Sequence, residues 1–360
     1  MKIPGTLKAT PDDFVVDELP LYEPSGEGTH VYVRFRKRNL TTDQAARALA
    51  RAAGAEPRET GIAGMKDKIA VTTQTISLAT PPGITPAAFE EKVRAVSVEG
   101  LEILDVKRHG NKLRTGHLAG NRFRLHITEL PPGTVEEVCA RFLALPALGV
   151  PNAFGEQRFG RDQDNAQRAL AWLAGKERAP RDARLRRLQY SALQSAVFNA
   201  VLEERVARGD WNVPLEGDVL KKEDSGGLFL CTDVQADRER AAQWEISPTG
   251  PIFGIKMNQP THEPAEIEAR AFAKIVTAEL DLSALRSLGE GTRRPLRLPV
   301  KEVTITPDRG EEPCGCIVEF VLPKGAFATT VVGQIIERRE DASPAGSEMT
   351  QTPTPLDAEP

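Results

Sequence analysis

The sequence predicts an α+β protein: a mixed sheet built from both ends of the chain, carrying a largely helical second domain as an excursion. Three observations predict it. Strand-like runs with period-two alternation crowd residues 14–37, 70–78, 101–107 and 122–127, and they return between 297 and 337. From Arg161 to about Arg208 the pattern changes to apolar spacing at a 3.6-residue period. No internal repeat is visible, so strand-rich ends around a different middle read as one domain interrupted by another.

The elements follow in order. Phe14–Leu19 and His30–Lys37 read as strands, the second with Val31, Val33 and Phe35 on one face, and Pro24-Ser25-Gly26-Glu27-Gly28 supplies the turn between them. Thr41 or Thr42 caps a helix that runs through Ala53 and stops at Gly54. A polar loop around Asp67 leads into a strand over Ala70–Leu78, and strands at Leu101–Lys107 and Arg122–Ile127 precede a helix between Val135 and Leu145. Ser191–Leu202 has the spacing of a structural helix; Asp210–Asp237, acidic and Gly-containing, reads as loop-rich; Ala265–Glu279 reads as a helix. Strands are expected again in Arg297–Thr306, Cys316–Leu322 and Ala326–Glu337. The tail, 341–360, is rich in Pro, Ser, Thr and Glu and has too little apolar surface to offset its ordering entropy, which predicts disorder.

Composition narrows the function classes. The chain has 360 residues, 40% of them hydrophobic, enough to bury a sizeable core. Its first residues hold no apolar run of signal-peptide length, and no later stretch approaches a membrane span, which points to the cytoplasm. The four cysteines, Cys139, Cys231, Cys314 and Cys316, are too sparse for a disulfide scaffold. Cys314-Gly315-Cys316 lacks the second ligand pair and the nearby histidine that a zinc site requires. Net charge is −4, but residues 101–200 carry 16 Lys/Arg against 10 Asp/Glu, whereas 201–250 carry 6 against 11 and 301–360 carry 5 against 11. Within that basic middle, Lys176, Arg178, Arg181, Arg184, Arg186 and Arg187 fit either a phosphate-contacting wall or a solvated helix face. GxGxxG, P-loop and HExxH patterns are absent, favouring chemistry without a cofactor.

Two segments carry residues suited to chemistry. In Ala63–Gln74, Asp67 lies between Lys66 and Lys68; flanking cations stabilise its ionised form, so it is available as a nucleophile or base, although a polar turn before a strand has the same sequence. Asn121 and Phe123 stand at i and i+2 of a strand and share a face, where an amide could read a base edge while a ring stacks on it; a core Phe with a turn Asn is the plainer reading. Phe14 and Phe327 pose the same choice.

Taken together, these segments resemble the tRNA pseudouridine synthase D (TruD) family. The likeness runs in order through Lys8–Val16, Gly26–His30, Gly64–Thr72, Leu118–Phe123, Gly149–Gly160, Pro248–Pro251, Arg293–Leu296 and Leu322–Thr329. The family usually has an aromatic at the position of Ala153, and often an Arg-Glu pair where this chain reads Gly333-Gln334. The resemblance implies a pseudouridine synthase fold, a mixed and mostly antiparallel sheet with flanking helices, in 1–151 and 299–340, and an α/β insertion domain in 152–298. It implies an RNA-modifying isomerase that converts uridine to pseudouridine in tRNA, most often at uridine 13, with no metal or cofactor. Asp67 then takes the catalytic position, Phe14, Asn121, Phe123 and Phe327 contact substrate, and Lys8, Lys66 and Lys68 hold the RNA backbone or the aspartate. Glu18 matches a family acidic position. The implied partner is tRNA, with no membrane, and a monomer is expected. Rival readings are a non-catalytic RNA-binding protein on the same scaffold, and a ribonuclease or nucleoside hydrolase.

Overall fold

The computed structural model describes residues 2–7, 10–277, 280, 285–308 and 314–338, with Gln157 and Arg338 described by backbone alone. Lys8 and the 341–360 tail lie outside the described residues. In chain order the first elements are β1 (Ile3–Leu7), β2 (Phe14–Pro20), β3 (His30–Arg38), α1 (Thr42–Ala53), β4 (Gly61–Ile62), β5 (Val71–Ala79), α2 (Pro86–Arg94), β6 (Leu101–His109), β7 (Leu118–Thr128) and α3 (Val135–Leu148). There follow β8 (Val150–Pro151), α4 (Asn165–Leu173), α5 (Ala183–Arg208), β9 (Val219–Lys222), β10 (Leu228–Leu230), α6 (Val234–Ala242), β11 (Ile246–Ile252), α7 (His262–Ile275), β12 (Thr292–Pro295) and β13 (Arg297–Leu298). The chain ends its described part with β14 (Lys301–Asp308), β15 (Gly315–Pro323), α8 (Ala328–Val332) and β16 (Ile336–Arg338). The described residues divide into two compact units, one within 2–146 and 299–338, the other within 147–298.

The first unit is organised by one sheet in the order β14-β15-β7-β2-β5-β3-β6, with β1 beside β7, β16 beside β1, and β4 on β5. Pairing is antiparallel except for β2 with β5 and β1 with β16. Register aligns Phe320, Phe123, Val16, Thr72 and Lys37 across five strands, and Leu322, Asn121 and Glu18 in the row two residues on. Side-by-side residues share a face. At the β3 end, Val31, Val33, Phe35, Ile76 and Leu78 pack with Ala45, Ala46, Leu49, Ala50 and Ala53 of α1 and with Phe89 and Val93 of α2. The alanines of α1 let its backbone lie close over the strands. Thr41 caps that helix reciprocally with Gln44, and Gly54, at φ 75°, closes it in a left-handed turn that a side chain would strain.

In the second unit the 26-residue α5 contributes Tyr190, Leu193 and Val197 to one buried cluster and Phe198, Val201 and Leu202 to another. Four of its strands form a sheet in the order β10-β9-β11-β12, and β8 pairs with β13. Buried ion pairs join Arg205 to Asp218 at 2.9 Å and Arg293 to Glu268 at 2.5 Å.

Several expectations about elements are corrected. The loop-rich reading of Asp210–Asp237 misses β9, β10 and the start of α6, and Ala326–Glu337 forms a helical turn and a short strand instead of one strand. Arg297–Thr306 breaks into β13 and β14 at Pro299, whose ring leaves no N–H for a ladder.

Candidate active site

Asp67 sits half-buried in the loop between β4 and β5, and the peptide groups around it are fixed by side chains from two other elements, α1 and β3. Thr42, the first residue of α1, accepts a hydrogen bond from the Lys66 N–H at 2.8 Å and donates to Gln74 of β5 at 3.0 Å. Lys37, at the end of β3, donates to the Asp67 carbonyl at 2.7 Å and to the Leu40 carbonyl at 2.6 Å. Inside the loop, the Ala70 N–H closes a turn onto the Lys68 carbonyl at 3.0 Å. Both sides of Asp67 are therefore tied to the sheet and to the start of α1, while Met65 and Lys68 stay exposed.

Charged groups of both signs meet around the loop. Lys66 is buried and pairs with Glu18 of β2 at 2.8 Å, and the second carboxylate oxygen of Glu18 accepts from the Thr75 N–H at 3.1 Å. Lys37 is 1% exposed. Burial pushes its pKa down to about 8, the Asp67 carboxylate pulling the other way and the Lys66 charge adding to the depression. Among the described residues, the ammonium groups of Lys37 and Lys66 and the carboxylates of Glu18 and Asp67 thus share a small region with little access to water, where each interaction is stronger than in water.

Register places Asn121 directly opposite Glu18, the partner of Lys66. The Asn121 Oδ1 is buried without a hydrogen-bond partner among the described residues, and so are Thr72 Oγ1 and Gln74 Nε2 on β5. An unmet buried polar atom costs about 1–3 kcal/mol, and two donors with one acceptor on one sheet face are the complement of a polar ligand edge. Beside them are aromatic rings: Phe14 lies edge-on to Phe123 at 6.3 Å between centroids, and Phe123 is tilted against Phe320 at 5.6 Å. Phe14 and Phe123 are buried, whereas Phe327, at the start of α8, is 55% exposed.

Of the residues singled out in the sequence, the structure brings Lys66, Asp67, Asn121, Phe14 and Phe123 to one region of the sheet. Lys66 is held against Glu18, and Phe327 stands exposed. The close approach of β7 to β15 explains Gly120: a Cβ there would lie 2.3 Å from the Leu322 carbonyl oxygen. Sequence reasoning missed Lys37, Thr42 and Gln74. Lys37 had a signal, because it continues the phase of Val31, Val33 and Phe35, where a charged residue is out of place on a core face. In the second unit, Lys176, Arg178, Arg181, Arg184 and Arg187 are exposed, and Arg186 turns back to donate to the Pro180 carbonyl at 2.8 Å. Among the described residues no helix is long and apolar enough to cross a membrane.

Comparisons with known proteins give this arrangement its context. The family model for tRNA pseudouridine synthase D (TruD) matches residues 1–177 and 177–335. The chain is 43% identical over 338 residues to tRNA pseudouridine synthase D of Anaeromyxobacter sp. strain Fw109-5, covering 92% of this chain and 93% of that protein. It is 37% identical over 404 residues to the protein of the same name from Geobacter sulfurreducens, covering 94% and 96%. A crystal structure from Methanosarcina mazei described under the same family name is similar in fold, with a TM-score of 0.74 at 24% identity over 92% of this chain and 93% of that one. Matched by the family model along nearly all of its described length and by relatives over 92% and 94% of its sequence, the chain belongs to the tRNA pseudouridine synthase D family of RNA-modifying isomerases.

Proposed function

We propose that this protein converts uridine to pseudouridine in tRNA, at uridine 13, with Asp67 as the catalytic carboxylate. The observation that carries the reading is the fixation of the Asp67 loop by Thr42, Lys37 and the buried Lys66–Glu18 pair, on the sheet face that also holds Asn121 and its unpaired Oδ1. A catalytic group held in place before substrate arrives lowers the barrier because no reorganisation is needed during reaction.

In the reaction the uracil is detached at N1, turned, and rejoined to the ribose through C5. Every atom of the nucleotide is retained apart from exchange of protons with solvent, so no oxidant, metal or cofactor is called for. Asp67 acts at C1′ of the ribose, at C6 of uracil, or as a base on the sugar, and all three routes need it ionised and close. The target uridine leaves its stack, at a cost of a few kcal/mol, and new contacts offset it. In this scheme Asn121 reads the polar edge of uracil, Phe14, Phe123 and Phe327 supply aromatic surface, Lys66 holds the aspartate loop, and Lys8 meets the RNA backbone. Residues 152–298 serve as the family-type insertion on a catalytic domain formed by 1–151 and 299–340. The exposed basic run from Lys176 to Arg187 contributes phosphate contacts. The enzyme works as a cytoplasmic monomer.

The test is incubation of wild type and Asp67→Ala with unmodified tRNA transcripts, followed by carbodiimide-dependent primer-stop mapping. A stop at uridine 13 with wild type alone is expected. A stop elsewhere would move the substrate site; tight binding by both proteins with no stop would favour an RNA-binding protein; free uracil or strand scission would favour a hydrolase.

A further inference from the structure

We propose that Arg158 and Arg294 form a binding site for a backbone phosphate of the tRNA, a phosphodiester held by two guanidinium groups that share the Phe154 ring. The proposal rests on the reading of the protein as a tRNA-modifying enzyme, but not on the role given to Asp67.

Three stretches singled out in the sequence, 149–160, 248–251 and 293–296, come together here, all in the second unit. α5 builds the support, with Ser191, Phe198 and Asn199 on one face of the helix. Asn199 holds the Phe154 main chain both ways, accepting from its N–H at 2.9 Å and donating to its carbonyl at 2.9 Å. Phe198 meets the Phe154 ring edge-on, with 5.4 Å between centroids. β12 supplies Arg294, opposite Gly250 of β11, where a Cβ would come within 3.0 Å of the Phe198 ring. Phe154 is thus a fixed platform. The Arg294 guanidinium lies over it at 4.1 Å from the ring centre, and that of Arg158 at 5.1 Å.

What the two arginines lack, among the described residues, is an acid. Arg294 donates to Asn152, at 3.4 Å to its carbonyl and at 2.5 Å to its Oδ1, and the Asn152 amide is oriented by donating to the Pro295 carbonyl at 2.9 Å. Arg158 donates to Ser191 Oγ at 3.3 Å. Elsewhere in this unit buried arginines are neutralised, Arg205 by Asp218 and Arg293, next to Arg294 in the chain, by Glu268. Arg297 stacks on Trp244 and donates to neutral oxygens, but at 3% exposure it is closed to a ligand. Arg158 and Arg294 are only half-buried. Burial, with the Arg158 charge adding to it, brings the Arg294 pKa down to about 10, which leaves it charged at neutral pH. Two like charges on one ring repel each other, and an anion arriving from outside relieves both that repulsion and the lost hydration. A phosphodiester suits the pair, because its single charge is spread over two non-bridging oxygens that planar N–H forks bind side by side.

The test measures the affinity for an unmodified tRNA transcript against salt concentration in wild type, Arg158→Gln and Arg294→Gln. Phosphates are mapped by ethylation interference, with thermal unfolding and pseudouridine formation alongside. Each variant is expected to bind about 10-fold more weakly at low salt and to lose about 1 from the logarithmic salt slope. Ethylation of the contacted phosphate should weaken binding to wild type and cost nothing further in either variant, a reading that a merely structural role for the arginines would not give. Affinity and salt slope equal to wild type in both variants, or an interference pattern in them that overlays that of wild type, would overturn the proposal. Inorganic phosphate that raises the unfolding temperature of wild type but of neither variant, with tRNA affinity equal in all of them, would assign the site to a free anion and overturn the RNA assignment. If Arg294→Gln does not fold, Arg158→Gln decides by the same readings. A wild type that neither binds nor modifies tRNA overturns the functional reading itself, whereas a wild type that forms pseudouridine beside variants with unchanged binding overturns the phosphate site alone.

Discussion

Glu18 and Lys66 bury both their charges, 4% and 6% exposed, with 2.8 Å between them. Removing one partner strands the other in a place water hardly reaches, a loss of about 3–5 kcal/mol where such pairs have been broken. Glu18→Gln should therefore lower unfolding stability by about that much. The double change Glu18→Leu with Lys66→Met should recover most of the stability but none of the turnover, checked by urea unfolding beside an activity assay. Lys37 gives a prediction of a different sign. Its folded pKa of about 8 lies below the ordinary value of 10.5, so the folded protein binds fewer protons than the unfolded chain between those pH values. The burial cost that wild type carries at neutral pH is relieved as pH rises through 8. Relative to Lys37→Met, wild type should gain about 2–3 kcal/mol between pH 7 and 10. A difference between the two proteins that stays constant with pH would contradict this.

The strands and helices that were legible are those whose code is local. β3 announces itself by alternation, and α1 by Thr41, Gln44 and Gly54 at its ends. β11 was not legible, because Ile246-Ser247-Pro248-Thr249-Gly250-Pro251-Ile252 carries two prolines and a glycine, yet all seven residues are buried. It survives by sharing its pairing, the first half with β9 and the second with β12, an arrangement no local pattern encodes. α8 failed the other way: Thr329, Thr330, Val331 and Val332 favour a strand by shape at Cβ, and tertiary packing of buried Val331 and Val332 overrides that preference. α2 had a readable start in Thr85-Pro86, a cap followed by proline at the first helical position, that was passed over. Among the strands of the site, β7 depends on Gly120. Gly120→Ala sets a Cβ 2.3 Å from the Leu322 oxygen, and since both sides of the clash are backbone, β7 or β15 must move. The expected result is a stability loss of about 1–3 kcal/mol together with weaker substrate use, because Asn121 is the next residue. Unchanged unfolding in Gly120→Ala would show that the sheet has more room than the geometry gives it.

The order of elements, sheet first, excursion, sheet again, was legible from where strand-like and helix-like runs fall along the chain. The strand order within the sheet was not, nor was the insertion of β2 between β5 and β7, which brings Glu18 beside Asn121 and under Lys66. Such pairings join residues 48 and more apart, and single-chain periodicity holds no record of them. Charge distribution is the property of the whole molecule that the sequence displays best. Replacing Arg178, Arg181 and Arg184 together by Gln should weaken tRNA binding and flatten its logarithmic salt dependence by up to about 3, while leaving the single-turnover rate at saturating tRNA intact. An unchanged salt slope would remove that run from the RNA contact surface.

The central claim is that a clamped Asp67 isomerises uridine, and the chemistry offers a direct reporter, since forming the new bond at C5 expels the hydrogen held there. tRNA labelled with tritium at C5 of its uridines should release one equivalent of label to solvent on incubation with wild type, and none with Asp67→Asn, which should bind the same tRNA. Release by Asp67→Asn at the wild-type rate, or no release by wild type, would contradict the account.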